Sequence, residues 1–249
     1  MAAGLTPRTG LDPRTGGVLP DRHQLPTGRS ARRPAAVLVD LDGTLIDSEP
    51  LWSAAAGAIA VAHGGPWSTA DDDLVVGWSV PAVAAYLRGR GVRQSTGAIV
   101  AALHEGVAAG LSGAVPWRPG ALDLLRTLRE TGVPCALVTM TYRSLASLVL
   151  RAAPTGSFAV VVAGDDVDRP KPDPQAYLRA AGLLRVAPDD CWAVEDSPTG
   201  TAAALASGAL TFAVDPAQRL PAALTADPGL RVVAGLEPVI RSLAVGQGR

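Results

Sequence analysis

Ala36-Val37-Leu38-Val39-Asp40-Leu41-Asp42-Gly43-Thr44 is the stretch that decides the architecture. Four aliphatic residues in a row, with no polar alternation, read as a strand buried on both faces, the situation of a parallel sheet. The run stops at two aspartates one residue apart and then at a glycine, so the acids fall just past the strand's carboxyl end. Four more apolar runs of similar length follow, at residues 134–138, 158–163, 191–194 and 210–214. Helical patterns separate the later runs, at 121–131, 143–152, 175–182 and 199–207. In the first of these Leu122, Leu125 and Leu128 share a stripe. Strand and helix in alternation predict an α/β fold, a Rossmann-like doubly wound parallel sheet with crossover helices.

The distance from the first run to the second is too long for one crossover. Residues 48–119 contain three Ala-rich helical patterns, at 51–63, 80–88 and 96–111, and a compact domain does not carry such a gap as loop. They are expected to form an inserted α-helical cap, joined to the core through turn-prone residues 47–50 and 116–120. The core is then 35–47 plus 120–249. Residues 1–34 differ in character: they are rich in Gly, Pro, Arg and Thr, and Pro-Arg-Thr-Gly occurs at Pro7 and again at Pro13. Such a segment buries too little apolar surface to offset its ordering entropy and is expected to be a disordered tail. It lacks the apolar centre of a secretory signal.

Composition narrows the function classes. The chain has 249 residues, a net charge of −1 and 48% apolar residues. There is no global charge to draw it to nucleic acid or to an anionic membrane, and no apolar run is long enough to span a bilayer. Two cysteines, Cys135 and Cys191, sit in strand-like runs and read as reduced core thiols. A cytoplasmic, monomeric protein acting on a small molecule is expected.

In open parallel sheets ligands bind at the carboxyl ends of the strands. The residues there are Asp40 and Asp42 after the first run and Thr139-Met140-Thr141 after the second. Arg169-Pro170-Lys171-Pro172 lies in the loop after the third, and Glu195-Asp196-Ser197-Pro198 follows the fourth. Converged, they make a pocket of four carboxylates, hydroxyls and one ammonium. Two like charges ~4 Å apart repel by about 4 kcal/mol at an effective dielectric of 20, so a hard divalent cation is the natural compensation, with Mg²⁺ the usual one beside a phosphate. Lys171 is the chain's only lysine among otherwise exclusively arginine cations, which suggests a role that a planar guanidinium cannot fill.

Asp40-Leu-Asp42-Gly-Thr-Leu, Thr139 after a strand, Lys171-Pro, and Glu195-Asp196-Ser197-Pro198-Thr199-Gly200 resemble, in order, the four motifs of the haloacid dehalogenase-like hydrolase superfamily. The resemblance runs from about Pro34 to the end, with an insert like that of the helical-cap group. It implies that Asp40 is the nucleophile that becomes an aspartyl-phosphate, and that Asp42 is the general acid and base, its backbone carbonyl helping to hold the metal. Thr139 would hydrogen-bond the phosphoryl group, and Lys171 would bind its oxygens and restrain Asp40. Leu41, Met140, Thr141 and, from the cap, Trp52 are implied in substrate binding. Asp40, Asp42, Asp196 and Glu195 would hold Mg²⁺, with direct ligation by Glu195 left open.

Dehalogenases of the superfamily lack the second aspartate, which this chain has as Asp42. Mutases of the β-phosphoglucomutase kind carry a histidine where Trp52 stands and basic residues around 75–80, where this chain has none. The reading is therefore a phosphatase of small phosphomonoesters, with a sugar-phosphate mutase and a non-catalytic phosphometabolite-binding protein as alternatives. Trp52, Trp67 and Trp78 either line the cap's face or pack its helices. Asp71-Asp72-Asp73 reads as a solvated helix start, Asp165-Asp166 as either a guide for Lys171 or plain loop, and His23, His63 and His104 as surface or tail residues.

Overall fold

Six strands form one parallel sheet: β1 (Ala36–Val39), β2 (Cys135–Val138), β3 (Val160–Val162), β4 (Cys191–Glu195), β5 (Leu210–Val214) and β6 (Leu230–Val233), in the order β3-β2-β1-β4-β5-β6. This computed structural model describes residues 32–75, 78–214 and 220–245, and most of the expected tail lies outside them. The order reverses at β1, which pairs with β2 on one side and β4 on the other, Val37 standing opposite both Cys135 and Trp192. A ligand crevice belongs at that switch point. Five strands match the apolar runs of the sequence. The sixth was not foreseen: Leu230-Arg231-Val232-Val233 is an edge strand with only Leu230 buried, so its apolar signal is short and mixed.

The strands carry apolar residues on both faces, as a covered parallel sheet requires. On one face Ala36 and Leu38 meet α7 (Gln175–Leu184) and α8 (Pro198–Ala206), whose contact residues Ala176, Ala180, Ala181, Ala203 and Ala204 are small and bring the helices close. On the other face Val37 and Val39 share a core with Leu124, Leu125 and Leu128 of α5 (Ala121–Thr131) and Leu145 and Val149 of α6 (Arg143–Ala152). After the short α9 (Ala222–Thr225), the last helix, α10 (Glu237–Val245), packs on α5.

Between β1 and α5 the chain forms α1 (Glu49–Ala62), α2 (Thr69–Val75), α3 (Val80–Gly89) and α4 (Thr96–Gly113). Ala55, Ala56 and Ala60 of α1 share a core with Ile99, Leu103, Val107 and Leu111 of α4. The two passages between this insert and the sheet run side by side. Asp47 N donates to Pro116 O at 2.9 Å, Arg118 N donates to Leu45 O at 2.9 Å, and Ile46 bridges Trp117.

Asp71 corrects one reading. It is buried rather than solvated, accepting from the Ser68 amide and hydroxyl, from Tyr86 Oη at 2.5 Å and from Arg90. These bonds hold its carboxyl below the usual range, chiefly the one from Tyr86. Trp67 and Trp78 both pack edge-on against Tyr86, so they brace α2 and α3.

Candidate active site

Asp40, Lys171, Glu195 and Asp196 meet at the carboxyl end of the sheet. Asp40 follows β1 and is buried, its amide bonded to Val194 O across to β4. Lys171, on the loop between β3 and α7, reaches over the sheet. Its Nζ lies 2.6 Å from Asp40 Oδ1, 2.5 Å from Glu195 Oε1 and 3.0 Å from the Val138 carbonyl. All three acceptors come from different strands, so one ammonium ties β1, β2 and β4 together at their carboxyl ends. Burial alone would lower the lysine's pKa, but Asp40 and Glu195 outweigh it and hold the ammonium protonated, well above its ordinary range.

One positive charge is too few for this site. Oxygens of Asp40, Glu195 and Asp196 all lie within 4.8 Å of one another. Burial pushes the Asp40 carboxyl well above the usual carboxylate range; Lys171 opposes that shift, while Glu195, Asp196 and Asp42 add to it. The donor set is all oxygen, anionic and compact, which suits a hard divalent cation such as Mg²⁺. Gly43, at φ +81°, packs so close that a Cβ there would overlap the Asp196 carboxylate, and a Cβ on Gly200 would overlap that of Glu195. The glycines of both motifs thus leave room for acids.

Glu195 is fully enclosed. Besides Lys171 it accepts from Tyr177 Oη at 2.7 Å on Oε1, and on Oε2 from the amides of Asp196 and Ser197 and from Ser197 Oγ. Ser197 Oγ also accepts from the Gly200 amide and so caps α8. Tyr177 was not singled out from the sequence, because a tyrosine on the inner stripe of a helix reads as core. Burial and then Glu195 raise its pKa, so the phenol stays a donor. Asp196 Oδ1 accepts from Thr44 Oγ1 at 3.2 Å.

Asp42 is set apart from the acidic cluster. Its Oδ2 accepts from Thr141 Oγ1 at 2.6 Å and Thr139 Oγ1 at 3.3 Å, and its Oδ1 from Ser48 Oγ at 2.6 Å. Its carboxylate is thus held by hydroxyls, leaving only its backbone carbonyl in question for a metal. The backbone amides of Leu41 and Met140 donate to no described protein acceptor, although Leu41 is buried. Such amides need a partner, and an anion at the strand ends would supply one.

Asp165 and Asp166 do not touch Lys171. Asp165 accepts from the Arg143 amide, and Asp166 pairs with the Arg143 guanidinium. His104 is not a surface residue. It is half-buried on α4, edge-on to Trp52 at 5.7 Å and to Tyr142 at 5.1 Å between ring centroids. It was passed over because it has no second histidine at ligand spacing, whereas its partners are aromatic.

A profile of the haloacid dehalogenase-like hydrolases matches residues 34–208. The chain belongs to this family. Among curated relatives it is 34% identical over 190 residues to hexitol phosphatase A of Escherichia coli K12, covering 72% of this chain and 82% of that one. It is 30% identical over 177 residues to the phosphorylated carbohydrates phosphatase of Thermotoga maritima, covering 70% and 81%. Among solved structures, a HAD family hydrolase from Deinococcus radiodurans with bound phosphate and sodium superposes with a TM-score of 0.64 at 28% identity, covering 85% of this chain and 96% of that one. This haloacid dehalogenase-like chain is accordingly a phosphoric monoester hydrolase.

Proposed function

We propose that this enzyme is a cytoplasmic, Mg²⁺-dependent monomeric phosphatase that hydrolyses a small phosphomonoester, such as a sugar phosphate, through an aspartyl-phosphate on Asp40. The observation that supports it best is the ammonium of Lys171 spanning Asp40 and Glu195 beside Asp196. The substrate would meet residues 48–119 as a cap above the strand ends.

Asp40, Glu195 and Asp196, with the Asp42 carbonyl, would hold Mg²⁺, which neutralises phosphoryl oxygens when bound. A carboxylate oxygen of Asp40 attacks phosphorus. A bond forms from Asp40 to phosphorus as the ester P–O bond breaks, and the leaving oxygen takes its proton from Asp42. A water then attacks the same phosphorus, gives its proton to Asp42, and displaces Asp40 with release of inorganic phosphate. The amides of Leu41 and Met140 meet the equatorial oxygens as donors fixed before the charge arrives, and Lys171 and Thr139 turn toward them hydrogen bonds now given to Asp40 and Asp42. Thr141 and Ser48 hold Asp42 at the position from which it can give and take the proton.

The test is turnover by the full chain of a panel of sugar, polyol and aryl phosphates, with Mg²⁺ and with chelator. Metal-dependent release of phosphate is expected. No release from any ester would favour the phosphometabolite-binding reading.

A further inference from the structure

Trp52, His104 and Tyr142 form a continuous aromatic wall from the insert to the core. Trp52 stands one helical turn beyond Ser48 on α1, on the same face, and Ser48 bonds Asp42. Tyr142 directly follows Thr141, which bonds the same carboxylate. His104, from α4, fills the space between the two rings. Both ends of the wall are therefore chained to the carboxyl that would serve the leaving oxygen, the atom to which the rest of the substrate is attached. Tyr142 is 51% exposed, so half of its surface is open to a ligand. Desolvation lowers the His104 pKa, which favours an uncharged ring.

The surroundings of this wall hold little positive charge. Of the four helices of the insert, α1, α2 and α4 contain no lysine or arginine, and α3 carries one, Arg88, in its last turn. The cation of the loop that carries Tyr142 is Arg143, and it is engaged: its guanidinium bonds the Val161 carbonyl and Asp166. Arg90, on the turn after α3, is bound to Asp71 and the Pro66 carbonyl. An anionic group on the far part of a substrate would lose water here and meet aromatic faces and uncharged edges instead of a counter-ion.

We infer that Trp52, His104 and Tyr142 select phosphomonoesters whose remaining part is an uncharged polyhydroxylated carbon chain, and reject those bearing a second anionic group. This rests on the phosphatase reading and adds the substrate's charge and the residues that read it. The C–H faces of such a chain lie against the rings, while its hydroxyls reach water and the ring edges.

The experiment compares kcat/KM of the full chain with Mg²⁺ on glucitol 6-phosphate and on 6-phosphogluconate, which carries a carboxylate at the far end, with acetyl phosphate as a minimal substrate. The polyol ester is expected to be preferred by about 100-fold. Tyr142→Lys is expected to shrink that ratio at least ~10-fold by raising turnover of the carboxylate ester, a gain that damaged folding cannot produce. Val61→Lys, on the exposed far side of α1, places the same charge away from the wall and should leave the ratio as it is. Equal use of the two esters, or a ratio unmoved by Tyr142→Lys, overturns the inference while acetyl phosphate turnover leaves the phosphatase reading standing. Failure to turn over even acetyl phosphate overturns both.

Discussion

Ser48 Oγ donates to Asp42 Oδ1 at 2.6 Å, so the second motif-one aspartate is tied to the residue that starts the insert. A serine at the N-cap of a helix ordinarily spends its hydroxyl on the helix's own amides. Ser48 is the N-cap of α1 and makes no such bond. The helix forgoes its side-chain cap, and the hydroxyl orients Asp42 instead.

Ser48→Ala should therefore lower kcat about tenfold, with KM nearly unchanged, because the carboxyl loses one of three fixing donors rather than a substrate contact. Ser48→Thr keeps the hydroxyl and should retain most of the rate. Steady-state kinetics of the two variants checks this. An alanine variant with the parent's kcat would remove Ser48 from the account.

Lys171→Arg should lose at least ~100-fold in kcat/KM despite keeping its charge. The Nζ sits among three acceptors and 5.1 Å from the Tyr177 ring centroid, a space shaped for a compact ammonium. Near-normal rates, in a variant with unchanged circular dichroism, would contradict that fit.

Tyr177→Phe deletes a buried donor to Glu195 and leaves the ring in place. The expected loss is about 2 kcal/mol of folding stability, the scale of a hydrogen bond to a charged group, read from urea unfolding. Activity should fall as well, since Glu195 would hold Lys171 less firmly. A stability within ~0.5 kcal/mol of the parent would show that the phenol contributes little.

Much of the site was legible because its chemistry follows strand ends. Asp40, Thr139, Glu195 and Asp196 each come at the end of a run that is apolar without alternation, Lys171 stands in the loop that follows another such run, and the parallel sheet places such positions along one edge. Ser48, Tyr177, His104 and Tyr142 gave no comparable signal. Ser48 has the pattern of an ordinary helix cap, Tyr177 that of a core aromatic, and His104 and Tyr142 meet only through packing between α4 and α6. Asp71 misled for the opposite reason. Three acids in a row imply a solvated face, and the partner that buries one of them, Tyr86, lies fifteen residues on. The edge strand β6 was missed because Arg231 interrupts its short apolar run and only Leu230 is buried.

Metal and pH should be linked through Asp40. Its carboxyl titrates above the usual range because burial, Glu195, Asp196 and Asp42 outweigh Lys171. A raised carboxyl contributes stability below its unfolded value of about 3.9 and loses it as pH rises through the folded value. The metal-free protein should thus lose this contribution toward neutral pH, and Mg²⁺, which binds the ionised site, should restore it. Thermal melts should show a Mg²⁺-induced rise in Tm of a few degrees near pH 8 and a smaller one near pH 5. Equal shifts at both, or none, would contradict the link.

The central claim is that phosphate passes through Asp40. The full chain, mixed with a ³²P-labelled substrate and Mg²⁺ and quenched in acid within milliseconds, should carry label that survives acid, is released by hydroxylamine, and maps to the peptide containing Asp40. Asp40→Asn should fold and carry none. Rapid turnover with label on another residue, or an Asp40→Asn variant that still hydrolyses the ester, would contradict the account.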